Sequence, residues 1–157
     1  MPAPLPPLAQ TLEDEIGRLE AFIALLQREQ SLLEKGETEA LLPLIEQKNA
    51  LAGALAGFDR SREHALARLG LPAGRAGMEA WLASQEGAPY QAQWERLLEL
   101  AQRARDLNET NGRLIQLHLS HHQQALAALM NAANQITTYG PDGQQQGGLG
   151  GRILGKA

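Results

Sequence analysis

Three histidines are the residues whose types and spacing come nearest to suggesting chemistry. His118, His121 and His122 stand at i, i+3 and i+4, so on a helix His118 and His122 share a face and could approach one metal ion. The run His118-Leu119-Ser120-His121-His122 supplies no carboxylate, and neither the His-Glu-x-x-His pattern of metalloproteases nor the Glu-x-x-His pairs of di-iron bundles is present. Glu63 and His64 are adjacent, but neighbours on a helix do not face each other. Nothing resembles a nucleophile elbow, and the Gly-rich end lacks the lysine motif and strand context of a phosphate loop. There is no cysteine, which excludes both a disulfide scaffold and a thiolate metal site. The expectation is a non-enzymatic protein without metal or cofactor, its histidines on a solvated or seam face.

The elements that would carry these residues are helices. The chain has 157 residues, the size of one domain, with only two Trp, two Tyr and two Phe. Strands draw on aromatic and β-branched residues, so this composition, rich in Ala, Leu, Gln and Glu, predicts an all-α protein. A net charge of −4 argues against nucleic-acid binding, which needs a clustered basic surface. No apolar run is long enough to span a bilayer. The start, Met1-Pro2-Ala3-Pro4-Leu5-Pro6-Pro7, lacks the basic residue and apolar core of a signal peptide. The expected location is the cytoplasm.

The longest helical stretch, about residues 90–136, holds the histidines. Trp94, Leu97, Leu98, Ala101, Ala104, Leu114, Ile115, His118, Ala125, Leu129 and Ile136 recur at helical spacing on one side. At about 1.5 Å per residue it would be roughly 70 Å long and must lie against other helices or a partner. Upstream, Leu8, Leu12, Ile16, Leu19, Ile23, Leu26 and Leu33 predict a first helix over about 8–35, its N-terminus suited by Glu13, Asp14 and Glu15 and its end set by Gly36. Thr38 is the expected N-cap of a second helix over about 38–69, although Pro43 could move the start nearer Leu42. Gly70 and Pro72 end it. The short connection at Gly36 makes helices 1 and 2 an antiparallel hairpin. Met78, Trp81 and Leu82 predict a short linking helix, about 76–85, that covers the hairpin's open end. Residues 1–136 thus read as a single helical domain: an elongated antiparallel hairpin packed with the long C-terminal helix. After Ile136, Gly and Gln dominate, and residues 137–157 are expected to be a flexible tail.

Asn111-Gly112 lies in the middle of the long helix, where glycine costs about 1 kcal/mol relative to alanine. A close helix crossing or a tolerated defect would explain it; so would a soft point that admits another chain. The tail carries Tyr139, Leu149, Arg152, Ile153, Leu154 and Lys156, either a solvated terminus or a segment that folds on binding.

These residues carry a resemblance. Asn108-x-x-Asn111-Gly112-x-Leu114-Ile115, a run of helical leucines, then Tyr139-Gly140-x-Asp142-Gly143 and a basic end resemble the FlgN family of flagellar type III export chaperones. The resemblance implies a cytoplasmic protein that binds the amphipathic terminal helices of the hook–filament junction proteins FlgK and FlgL. It would prevent their premature association and deliver them to the export apparatus. By that likeness the client-binding region is carboxy-terminal: Asn111, Gly112, Ile115, Leu119, Leu126, Leu129 and Ile136, with Ile153 and Leu154 as an extension. Tyr139 would take the role of a family tyrosine linked to docking at the export gate protein FlhA. The alternative is a structural coiled-coil or bundle subunit whose apolar stripe closes by self-association, because an a/d-like stripe serves either purpose.

Overall fold

The computed structural model describes residues 3–138, with the backbone alone for 135–138. Every regular element among them is helical: α1 (Pro7–Lys35), α2 (Leu41–Arg68), α3 (Gly74–Ala83) and α4 (Gln91–Thr138), with short 3-10 turns at Thr38–Ala40 and Ala88–Tyr90. Two compact units are distinguished, Met1–Leu114 and Ile115–Ala157. Tyr139, Ile153 and Leu154 lie outside the described residues. Residues 137 and 138, expected to open the tail, still belong to α4.

In the first unit, α1 starts at Pro7, where proline's missing N–H would have had no intrahelical partner in any case. No acidic residue lies in the first turn; Glu13, Asp14 and Glu15 come later than the sequence suggested. Gly36 (φ 71°) and Gly70 (φ 70°) close α1 and α2 in left-handed conformations. At each end paired bonds satisfy the free carbonyls: Gly36 N–H to Leu33 O with Glu37 N–H to Leu32 O, and Gly70 N–H to Ala67 O with Leu71 N–H to Leu66 O. Thr38 does not cap α2 but sits in the preceding 3-10 turn, with no side-chain cap bond. The shift follows from Pro43, whose absent N–H is harmless only within the first turn of a helix that starts at Leu41.

The direction of the helices is set by cross-links. Early α1 meets late α2 through Glu15 and Arg62, and late α1 meets early α2 through Glu29 and Lys48 (3.2 Å), so the pair is antiparallel. Arg96 reaches Glu20, and Asn111 reaches Leu26 and Glu29, so the first half of α4 runs parallel to α1. The core joins Leu8, Leu12, Leu19, Ile23 and Leu26 of α1 to Trp94, Leu97, Leu100 and Ala104 of α4. Burying each such leucine stabilises the fold by about 1.5–3 kcal/mol. From α2 only Leu44 and Leu66 are buried, while Ile45 and Leu69 of the expected row are exposed. On α4 it is Leu100, not the expected Leu98, that enters the core. Two residues turn a helix by roughly 200°, so the two leucines point to nearly opposite sides.

Met78, Trp81 and Leu82 of α3 belong to the same buried cluster as Leu8, Leu12 and Leu66. Tyr90 stacks on Trp81, ring centroids 5.7 Å apart and 13° from parallel. Two glycines permit this packing: a Cβ on Gly77 would sit 1.8 Å from Pro72 O, and one on Gly87 would sit 2.0 Å from Trp81 O.

Candidate functional site

The first unit uses its buried polar groups for its own assembly. Glu15 lies in the same i+3/i+4 row as Leu12 and Leu19, and Glu29 in the row of Leu26 and Leu33, so both carboxylates fall on the core face of α1. A buried carboxylate requires a partner. Glu15 accepts from Arg62, which also donates to Asp59. Glu29 accepts from Lys48 Nζ (3.2 Å) and from Asn111 Nδ2 (2.8 Å). Burial pushes the Glu15 carboxyl above the ordinary glutamate value; the Arg62 hydrogen bond and charge pull it back in part, and Asp59 adds a smaller upward push.

Asn111, expected at the client surface, is fully buried (0% exposed). Its amide donates to Leu26 O and Glu29 Oε1, both at 2.8 Å, and its Oδ1 has no hydrogen-bond partner. In this conformation it offers no surface; it ties α4 to α1. Gly112 beside it is half-buried, and a Cβ there would meet nothing within 4 Å. A close crossing does not explain this glycine. The available signal for the buried network was the acid at Glu29 in the leucine register of α1; nothing local to Asn111 marks it as Glu29's partner.

The second unit contains α4 from Ile115 onward, and there the apolar side chains are exposed: Ile115, Leu119, Leu126 (59%), Leu129 (68%) and Met130. Ile115, Leu119, His122, Leu126, Leu129 and Ala133 follow one another in steps of four and three, and the same spacing reaches Ile136, whose side chain is outside the described set. Strict alternation of three and four places a narrow stripe on one side of a helix, the pattern of a coiled-coil seam. Leu117, also exposed, is turned roughly 200° from Ile115 and lies off the stripe. Met130 borders it and was not anticipated. Charged side chains recur through the first half of α4 and cease at Arg113; from Leu114 to Thr138 there is no Asp, Glu, Lys or Arg.

His122 falls within the stripe, His118 beside it and His121 farther round. Among the described residues no three His, Cys, Asp or Glu side chains gather as a metal site requires, and no helix is long and apolar enough to cross a membrane. What the arrangement can do is bury an apolar helix face against another helix.

The chain is similar to known proteins over most of its length. The family model described as FlgN protein matches residues 5–147. The flagella synthesis protein FlgN of Yersinia enterocolitica serotype O:8 / biotype 1B is 33% identical over 151 residues, covering 94% of this chain and 96% of the relative. That of Proteus mirabilis is 30% identical over 142 residues, covering 88% and 90%. A crystal structure described as a flagella synthesis protein FlgN from Pseudomonas aeruginosa superposes with a TM-score of 0.64 at 28% identity, over 73% of this chain and 90% of that one.

Proposed function

The chain belongs to the FlgN family, and from that premise we propose that it is a non-enzymatic export chaperone of the cytoplasm. It binds the amphipathic terminal helices of the junction proteins FlgK and FlgL, keeps them from associating early, and brings them to the flagellar export apparatus. The observation that carries this reading is the exposed stripe of Ile115, Leu119, Leu126 and Leu129 on α4. An exposed apolar stripe along a helix is the kind of surface that another amphipathic helix buries.

Within this reading the stripe from Ile115 to Ile136 makes the direct contacts. Asn111 and Gly112 act at its start, Asn111 by anchoring α4 rather than by touching the client. Ile153 and Leu154 extend the client site, and Tyr139 serves delivery at FlhA. A net charge of −4 does not suit nucleic-acid binding, and in this reading neither nucleic acid nor membrane insertion takes part.

Isothermal titration of the whole protein with the carboxy-terminal helical segments of FlgK and FlgL tests the proposal. Saturable one-to-one binding with a negative heat-capacity change, the signature of apolar burial, is expected. No binding to either segment, with the protein forming a stable oligomer, would overturn it in favour of a stripe closed by self-association. Tyr139→Ala should keep client affinity and lose FlhA binding; loss of client affinity would move Tyr139 to the client site.

A further inference from the structure

The stripe on α4 is flanked as well as formed in an unusual way. In a coiled coil, the positions bordering the apolar seam carry the charges that choose a partner through ion pairs. Here the bordering residues are Gln116, Gln123 and Met130 on one side and His118, Ala125 and Ala132 on the other. No Asp, Glu, Lys or Arg follows Arg113 in the helix. A partner helix with charged flanks would lay those charges against glutamine, methionine and alanine. It would lose hydration and gain no counter-charge, which is unfavourable.

We infer that the second half of α4 selects a partner helix of about three heptads whose apolar seam is bordered by uncharged amides and hydroxyls, and that it does so without interfacial salt bridges. This rests on the reading of the stripe as a client-binding surface and adds the chemistry of the client. The stripe contains two positions that are not large and apolar, His122 and Ala133. A parallel second copy would set His122 against His122 and Ala133 against Ala133. A different helix with a bulky apolar residue opposite Ala133 and a small or polar one opposite His122 fills both. The complementary partner is therefore another protein's helix, read by seam shape and by the absence of charge.

Fluorescence anisotropy with the full-length protein tests this, using three synthetic helical peptides that share one leucine/isoleucine seam and matched helicity. Their flanking positions are Gln/Ser, Glu or Lys. The Gln/Ser peptide should bind saturably, the Glu and Lys peptides at least about tenfold more weakly. Its affinity should change less than about twofold between roughly 0.05 and 0.5 M salt, as expected without ion pairs. Leu129→Asp should abolish its binding. Equal or tighter binding by either charged peptide overturns the inference, and so does failure of the Gln/Ser peptide to bind. Sedimentation of the protein alone gives a further arm: a dimer that Leu129→Asp dissociates would make the occupant a second copy. Titration of the FlgK and FlgL segments in parallel separates the two readings. If those segments bind but the Gln/Ser preference fails, only the client chemistry falls. If they do not bind while the Gln/Ser peptide does, the preference stands and only the client assignment falls.

Discussion

Asn111 of α4 donates its side-chain amide to Glu29 Oε1 of α1 at 2.8 Å. The same amide reaches Leu26 O, and Glu29 in turn holds Lys48 of α2. One buried carboxylate thus joins all three long helices at the point where α4 passes from charged to uncharged sequence.

Replacing Asn111 should therefore act on stability. Asn111→Ala leaves the Leu26 carbonyl without its side-chain donor and should cost about 1–3 kcal/mol in urea unfolding. Asn111→Asp brings a second carboxylate against Glu29 and should cost more, about 3 kcal/mol or above. If both variants unfold at the parent's midpoint, the network does not hold α4.

The glycines should divide by their surroundings. Gly112→Ala meets open space and should stabilise the helix by about 1 kcal/mol. Gly77→Ala or Gly87→Ala drives a methyl group into backbone and should destabilise by at least about 2 kcal/mol, since the obstacle cannot rotate away. Thermal melts of the three variants check this. A destabilised Gly112→Ala would show that the helix needs flexibility there.

Glu15 predicts a pH effect of definite sign. Its carboxyl is raised by burial, so the folded state holds the proton to higher pH than the unfolded chain does. Folding takes up a proton in that window, and the stability linked to it is full below the unfolded value and lost as pH rises through the folded one. Glu15→Gln has no such proton. From about pH 4 to about pH 7 the parent should lose stability relative to Glu15→Gln. A difference that stays constant, or grows in the parent's favour, would reverse the assignment.

The exposed stripe predicts a separation of binding from folding. Leu129→Asp, at a largely exposed site, should change the melting temperature little and weaken client-segment binding by about 2 kcal/mol or more, as a charge replaces a buried leucine. His122→Leu should strengthen binding by about 1 kcal/mol by completing the seam. Calorimetric titration measures both. Unfolding of Leu129→Asp would place Leu129 in a core, and an unchanged affinity for His122→Leu would take His122 out of the seam.

Much of the fold was determined by local sequence. Gly36 and Gly70 can take a left-handed conformation without a Cβ penalty, so they end α1 and α2 as expected. The leucine row of α1 faces the core because a 3.6-residue period fixes which side chains share a side. The exposed stripe was legible in part: spacing put Ile115 and Leu129 in one row, as it put Met78, Trp81 and Leu82 on one side of α3, whereas Leu119 and Leu126 were named only through the family resemblance. The local sequence around Asn111-Gly112 drew attention to that site but not to what each residue does there.

Tertiary structure decided which faces found partners. Periodicity orients a side chain about its own helix but is silent on what stands opposite. Spacing put Leu98 in the apolar row of α4, but α1 covers the side that carries Leu100. Glu15 and Glu29 lie in the leucine register, yet their counter-charges Arg62 and Lys48 are far away in sequence and meet them only through the antiparallel hairpin. Asn111 changed from an expected contact surface to a buried donor for the same reason, because the hydrogen bonds that occupy it come from residues more than eighty positions away. Local propensity and spacing specify helices and their faces; burial and pairing are properties of the assembled helices.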